Sequence, residues 1–178
     1  MYGSQEIPAN PSAYCPKYIK GARLPHLWIR PITPEICDTI PPVDLQHVYE
    51  FSSTEKELRQ YSTLDLCRFD SFTLIINSST SRSEKVLKWL ELLNNKQGKA
   101  AVPLRIATLG VDFDIVFKDQ AKEWLDEFGL GDGKCGGVLV RPDQHIVSVL
   151  EENVSVQQLD SALYEAAGWQ AKLENRYS

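Results

Sequence analysis

The sequence has no C-x-x-C pair. Its four cysteines, Cys15, Cys37, Cys67 and Cys135, stand far apart. Dithiol exchange and a zinc knuckle therefore both lose their usual signature. The expected state is a reduced intracellular protein with free thiols. No apolar run approaches the ~20 residues that cross a bilayer. Residues 1–10 carry neither the basic start nor the apolar stretch of a signal peptide. A cytoplasmic location and no membrane partner are expected. Positive charge is also short: the formal net charge is −5. Phosphate backbones need a basic face, so nucleic acid is not an expected partner. Lys17, Lys20 and Arg23 form the one local basic cluster, and its plain reading is a solvated segment. No G-x-G-x-x-G joins a strand to a helix, so the dinucleotide fingerprint is absent. No Ser/His/Asp or Cys/His set stands at a suggestive spacing, and no repeat or low-complexity tract divides the chain.

What is present suits one folded domain. The chain has 178 residues, 43% of them apolar and 24% charged, which is enough to bury a core. Eight of the ten prolines fall before residue 45. Proline blocks helix interiors and central strands. Residues 1–44 therefore read as an extended arm, anchored across the body by Tyr14, Tyr18, Leu24, Leu27, Trp28 and Ile29. Residues 45–178 read as the domain proper.

Within that domain, residues 45–51 are rich in β-formers and predict a strand. Thr54-Glu55-Lys56-Glu57 predicts a capping box before a short helix that ends near Tyr61. Phe72-Thr73-Leu74-Ile75-Ile76-Asn77 predicts a buried strand. Ser81-Arg82-Ser83-Glu84 predicts a second capped helix, with Val86, Trp89, Leu90 and Leu93, stopping near Gly98. Residues 104–109 predict the next strand. Asp119 is the expected cap of a helix whose apolar face carries Ala121, Trp124, Leu125 and Phe128, closed by Gly129. Residues 137–140 and 146–150 flank Arg141-Pro142-Asp143-Gln144, a turn with proline in second place, and predict a hairpin. Ser155-Val156-Gln157-Gln158 opens a last helix that stops near Gly168.

From residue 72 the order is β-α-β-α-β-β-α. The first two strands are expected parallel and the hairpin antiparallel. The expected fold class is α/β: a thioredoxin-like fold with a central mixed sheet flanked by helices. In such a fold the active site would fall at residues 78–83. Those residues have hydroxyls but no sulfur, so their plain role is helix capping. The glycine-rich run 129–137 follows a helix and enters a strand. A phosphate loop does the reverse, and the run reads as a mobile connector.

Three stretches carry a resemblance. They are Gly21-Ala22-Arg23-Leu24-Pro25-His26 followed by Leu27-Trp28-Ile29; Ser62-Thr63-Leu64-Asp65-Leu66 followed by Phe72-Thr73-Leu74; and Val138-Leu139-Val140-Arg141-Pro142-Asp143. In this order they resemble the C-terminal thioredoxin-like, dimerising domain of FAD-dependent aromatic hydroxylases of the phenol 2-monooxygenase group. The resemblance spans roughly residues 14–168. The family usually continues Arg-Pro-Asp-Gly, then an aromatic–basic ending. Here Gln144 stands in the glycine's place, with Ser148-Val149 at that ending. Met1 lies just before the first motif, so the resemblance implies a stand-alone form without the flavin-binding body. No cofactor is then expected.

The resemblance leaves two functions open. One is a flavin-free protein of secondary metabolism that binds an aromatic or polyketide-like small molecule and assists an isomerisation, dehydration or cyclisation. Arg23 would steady an oxyanion and His26 would move the proton. Trp28 and Asp65 would bind substrate. The other is a non-catalytic accessory that forms a homodimer or docks on a separate flavoenzyme. Arg23 would then be a structural residue, paired for example with Asp65, with His26 satisfied in the packing. Asp65 and Asp143 also suit turns or ion pairs, and His47 and His145 suit surface or packing roles. Thiol chemistry on Cys67 or Cys135 is a third course, which ordinary thiol pKa values would exclude.

Overall fold

The computed structural model describes residues 17–77, 102–131, 136–151 and 155–168. The expected helix after Ser81, the hydroxyls of 78–83, Cys15, Cys135, Tyr14, Trp89 and Trp169 lie outside them.

The described residues form a seven-stranded sheet. In chain order the strands are β1 (Trp28–Pro31), β2 (Tyr61–Ser62), β3 (Phe72–Asn77), β4 (Leu104–Leu109), β5 (Phe113–Ile115), β6 (Gly137–Val140) and β7 (Ile146–Leu150). Their order across the sheet is β2-β1-β5-β4-β3-β6-β7. Among the described residues three helices accompany them: α1 (Ser53–Leu58), α2 (Lys118–Glu127) and α3 (Val156–Ala166). Short 3₁₀ turns occupy Pro34–Ile36 and Thr63–Leu66.

Strand β3 lies inside the sheet, between β4 and β6. All six of its residues are buried, which is why its sequence is a continuous apolar run rather than an alternation. It pairs parallel with β4 and antiparallel with β6, as the sequence predicts. Successive side chains leave opposite faces. Ile75 joins one core cluster with Ile29, Phe113, Trp124, Phe128 and Val138. Leu74 and Ile76 join the other with Leu104, Leu139, Leu159 and Leu163. Helix α2 thus covers one face through Ala121 and Trp124, with Phe128 at its C-terminal cap, and α3 covers the other through Leu159 and Leu163.

The proline-rich stretch contributes directly to this sheet. Its β1 pairs antiparallel with both β2 and β5. Leu24 and Ile36 are buried in the α2-side core. Strand β5 has only three residues, too few to show a period, and the sequence reading omits it.

Three local expectations need correction. Residues 45–51 are turns, not a strand. The Asp44 carboxylate accepts from the Gln46 amide at 2.9 Å, and the Val48 amide donates to the Leu45 carbonyl at 3.0 Å. Tyr49 is 89% exposed, so these β-formers have no face to bury. Helix α1 is capped by Ser52, not Thr54. Ser52 and Glu55 make the reciprocal capping box, and the helix ends at Leu58. Two overlapping boxes compete in the sequence, and the earlier one captures more helix. Asp119 does not cap α2. Phe117 holds the cap position and offers no side-chain bond, so Asp119 lies in the first turn. At the other ends the predictions hold. Gly129 (φ 63°) follows α2 and Gly168 (φ 72°) follows α3, in the left-handed backbone that glycine accepts without strain. Ser155 and Gln158 form the expected box on α3.

The glycine-rich connector is tightly packed at its far end. A Cβ on Gly136 would stand 2.7 Å from the Gly129 carbonyl oxygen and 2.8 Å from that of Phe128. Only glycine lets the backbones approach so closely. Among the described residues, no buried side-chain nitrogen or oxygen lacks a partner.

Candidate functional site

The three stretches that carry the resemblance converge. Residues 21–24 lie antiparallel to the start of β7. The Gly21 amide donates to the Ile146 carbonyl at 2.8 Å, and the Ile146 amide donates to the Ala22 carbonyl at 2.8 Å. Arg23 and His145 form the bridge between them. Leu24 then donates to the Gln144 carbonyl at 2.7 Å. On the other side, Leu27 and Thr63 bond through their backbones at 2.9 Å, and the Thr63 hydroxyl donates to the Pro25 carbonyl at 3.0 Å. The buried Trp124 indole donates to the same carbonyl at 3.2 Å.

The hairpin tip supplies the central piece. The Gln144 amide donates to the Arg141 carbonyl and the Arg141 amide to the His145 carbonyl, each at 2.9 Å. The register steps between Leu139 and Val140. This is a type I turn followed by a left-handed residue, the usual three-residue hairpin with a bulge. The left-handed residue is Gln144, at φ 69°. Glycine would be unstrained there, which accounts for the glycine expected from the resembling family.

Gln144 uses its side chain in both directions. Its Oε1 accepts from Arg23 Nε at 3.2 Å and from Arg23 Nη2 at 2.6 Å. Its Nε2 donates to the Leu64 carbonyl at 3.3 Å. It thereby links all three stretches. Sequence reasoning singled out Gln144 only as a departure. The available signal was the turn itself, which demands a left-handed residue at that place and tolerates glutamine only at some strain.

The expected pairing of Arg23 with Asp65 is replaced by the bond to Gln144. Asp65 instead closes a capping box. Its Oδ2 accepts from the Ser62 amide at 2.7 Å, while Ser62 Oγ accepts from the Leu64 amide at 3.1 Å. His26 stands at the surface with its ring edge-on to half-buried Trp28, the centroids 4.5 Å apart and the planes at 89°. Partial burial lowers the His26 pKa below its ordinary value, and the Asp65 charge opposes that shift. His26, Trp28 and Asp65 therefore share one neighbourhood. Arg23 reaches its edge through Gln144 and Leu64.

Among the described residues, cavities of about 700, 670 and 330 Å³ open elsewhere. None of these is lined by Arg23, His26, Trp28 or Asp65. The two described cysteines are buried and free. Burial, with Asp65 adding to it, pushes the Cys37 thiol up to about 11 and the Cys67 thiol up to about 12. Neither is poised for nucleophilic or redox chemistry. Among the described residues, no group of three or more His, Cys, Asp or Glu is placed to hold a metal ion, and no helix is long and apolar enough to cross a membrane.

No family model matches the chain, and no curated protein matches it. Solved structures do. The flavin-dependent monooxygenase PieE, in complex with FAD and substrate, aligns over 95% of this chain at 18% identity and a TM-score of 0.55. RebC-10x, native and bound to K252c, aligns over 94% at 21% identity and a TM-score of 0.47. The chain spans 24% of the first protein and 22% of the second. At this identity the likeness to PieE is one of fold: the chain has the mixed α/β fold of part of a flavin-dependent monooxygenase.

Proposed function

We propose that this chain is a non-catalytic, thioredoxin-like accessory module that docks on a flavin-dependent hydroxylase. The observation that carries the reading is the engagement of Arg23. Its fork is directed at Gln144, and through Gln144 it joins the three stretches that resemble the hydroxylase domain. Those residues then act as a brace that holds the arm to the sheet. The thioredoxin-like reading is supported by the strand order β4-β3-β6-β7, with the first pair parallel and the other pairs antiparallel. The fold likeness to part of a flavin-dependent monooxygenase favours a flavoprotein as the partner.

The test is capture from the source cells with a tagged chain, read by flavin fluorescence and mass spectrometry. Stoichiometric recovery of a flavin-dependent monooxygenase supports the proposal. Recovery of no flavoprotein, under conditions that keep the chain folded, overturns it.

His26 favours a second reading, the flavin-free enzyme. Its pKa, lowered by partial burial against the opposing charge of Asp65, favours the neutral imidazole, the form a general base requires. Trp28 lies against it and Asp65 within electrostatic reach, with Arg23 as the anion-stabilising group. A deletion strain complemented with wild type, Arg23→Ala or His26→Ala separates the readings. An intermediate cleared by wild type but by neither folded variant supports this enzyme. An unchanged metabolite profile removes it.

A further inference from the structure

A separate cleft of about 670 Å³ lies beyond the carboxyl ends of the parallel strands β3 and β4. Asn77 ends β3 and Leu109 ends β4, and both line it. Open α/β sheets bind their ligands in this region, because the strand ends and helix starts leave a crevice there. The volume lies within the range of small-molecule sites. Leu109, Ile115, Leu125 and Leu130 give it an apolar lining.

Two lysines stand on its rim. Lys118 and Lys122 are one helical turn apart on α2. Neither makes an ion pair with a described residue. Lys118 is, moreover, the first residue of a helix that has no side-chain cap. An acidic residue would be favoured there, since the helix dipole places partial positive charge at that end. A lysine in this place departs from the local preference in a chain whose net charge is −5. Such departures concentrate at functional positions. Asp114, on the same rim, is neutralised by Arg30 at 3.0 Å. Asp119 and Asp126 also line the cleft and balance the two lysines in number, so a carboxylate is held there by direct contact with Lys118 and Lys122 and not by a net positive field.

We infer that the cleft between β3, β4 and α2 binds a small apolar or aromatic monocarboxylate, its ring or chain on the leucines and its carboxylate on Lys118 and Lys122. This site is distinct from the Arg23 brace. It stands whether or not the chain docks on a flavoprotein.

The test uses the full chain and three probes of one shape: naphthoate, naphthalenemethanol and naphthylmethylammonium, titrated by calorimetry and by NMR shifts. Naphthoate should bind tightest and should shift the amides of Leu109, Lys118, Lys122 and Leu130. The Lys118→Gln/Lys122→Gln double variant, checked for an unchanged amide spectrum, should weaken naphthoate roughly five- to tenfold. It should leave naphthalenemethanol unchanged. Leu130→Ala should weaken all three probes. Equal or tighter binding of the ammonium probe, absence of naphthoate binding, or shifts confined to other residues would each overturn the inference.

Discussion

Arg23 holds Gln144 through two donors, Nε at 3.2 Å and Nη2 at 2.6 Å, on one amide oxygen. The two residues are 121 positions apart in the chain. The bond falls where the backbone of Gln144 is itself in the left-handed region, at φ 69°. A locally unfavourable residue is retained where its side chain does what glycine cannot.

That balance is measurable by comparing Gln144→Ala with Gln144→Gly. Alanine loses the bonds to Arg23 and Leu64 and keeps the strain. It should lower unfolding free energy by about 1 to 2 kcal/mol. Glycine loses the same bonds but relieves about 1 kcal/mol of backbone strain. Urea denaturation should therefore rank wild type first, glycine second and alanine last. Equal stability of the two variants would mean that the left-handed backbone is not what sets this position.

Arg59 makes a second brace. Its guanidinium lies 4.3 Å from the Phe51 ring centroid and 4.6 Å from that of Phe117, and its side chain is only 16% exposed. Phe117 is also the uncapped start of α2, so the contact ties α1 to that helix. Arg59→Ala should destabilise by about 2 kcal/mol through lost cation–π attraction and packing. Arg59→Met keeps much of the packing and should recover about half. Full recovery with methionine would show that the charge contributes nothing.

The pH dependence of His26 follows from the sign of its shift. Its folded pKa is lowered, chiefly by burial, with Asp65 opposing. The fold then favours the neutral ring. The stabilisation is fully present above the unfolded value of about 6.5. It is lost as pH falls through the lowered folded value. Asp65→Asn keeps an acceptor for the Ser62 amide and removes the opposing charge, so it should lower the His26 pKa further. An NMR titration of the ring protons measures this. A rise in that pKa on Asp65→Asn would refute the arrangement.

Cys37 and Cys67 should resist alkylation in the native state. With pKa values pushed up to about 11 and about 12, almost no thiolate is present at neutral pH, and both sulfurs are shielded. Iodoacetamide followed by peptide mass mapping should mark both sites fast in denaturant and slowly without it. Rapid native labelling of Cys67 would reopen thiol chemistry.

The elements legible before folding are those whose signals are local and mutually consistent. Strand β3 was legible because burial on both faces requires an unbroken apolar run. The hairpin was legible from Pro142, and α3 from Ser155 with Gln158. Local signals misled where two of them overlapped, as at Ser52 and Thr54, or where β-formers met no neighbouring strand, as at 45–51. The resemblance singled out Arg23, His26, Trp28 and Asp65, but their partners were not legible. Tertiary structure alone decided that Arg23 meets Gln144 rather than Asp65, that Asp65 caps its own turn, and that Lys118 and Lys122 face a cleft at the ends of β3 and β4. The reason is physical. Propensity and periodicity act within a few residues, whereas these contacts are set by which strands pair and by how a proline-bound arm is threaded against β7.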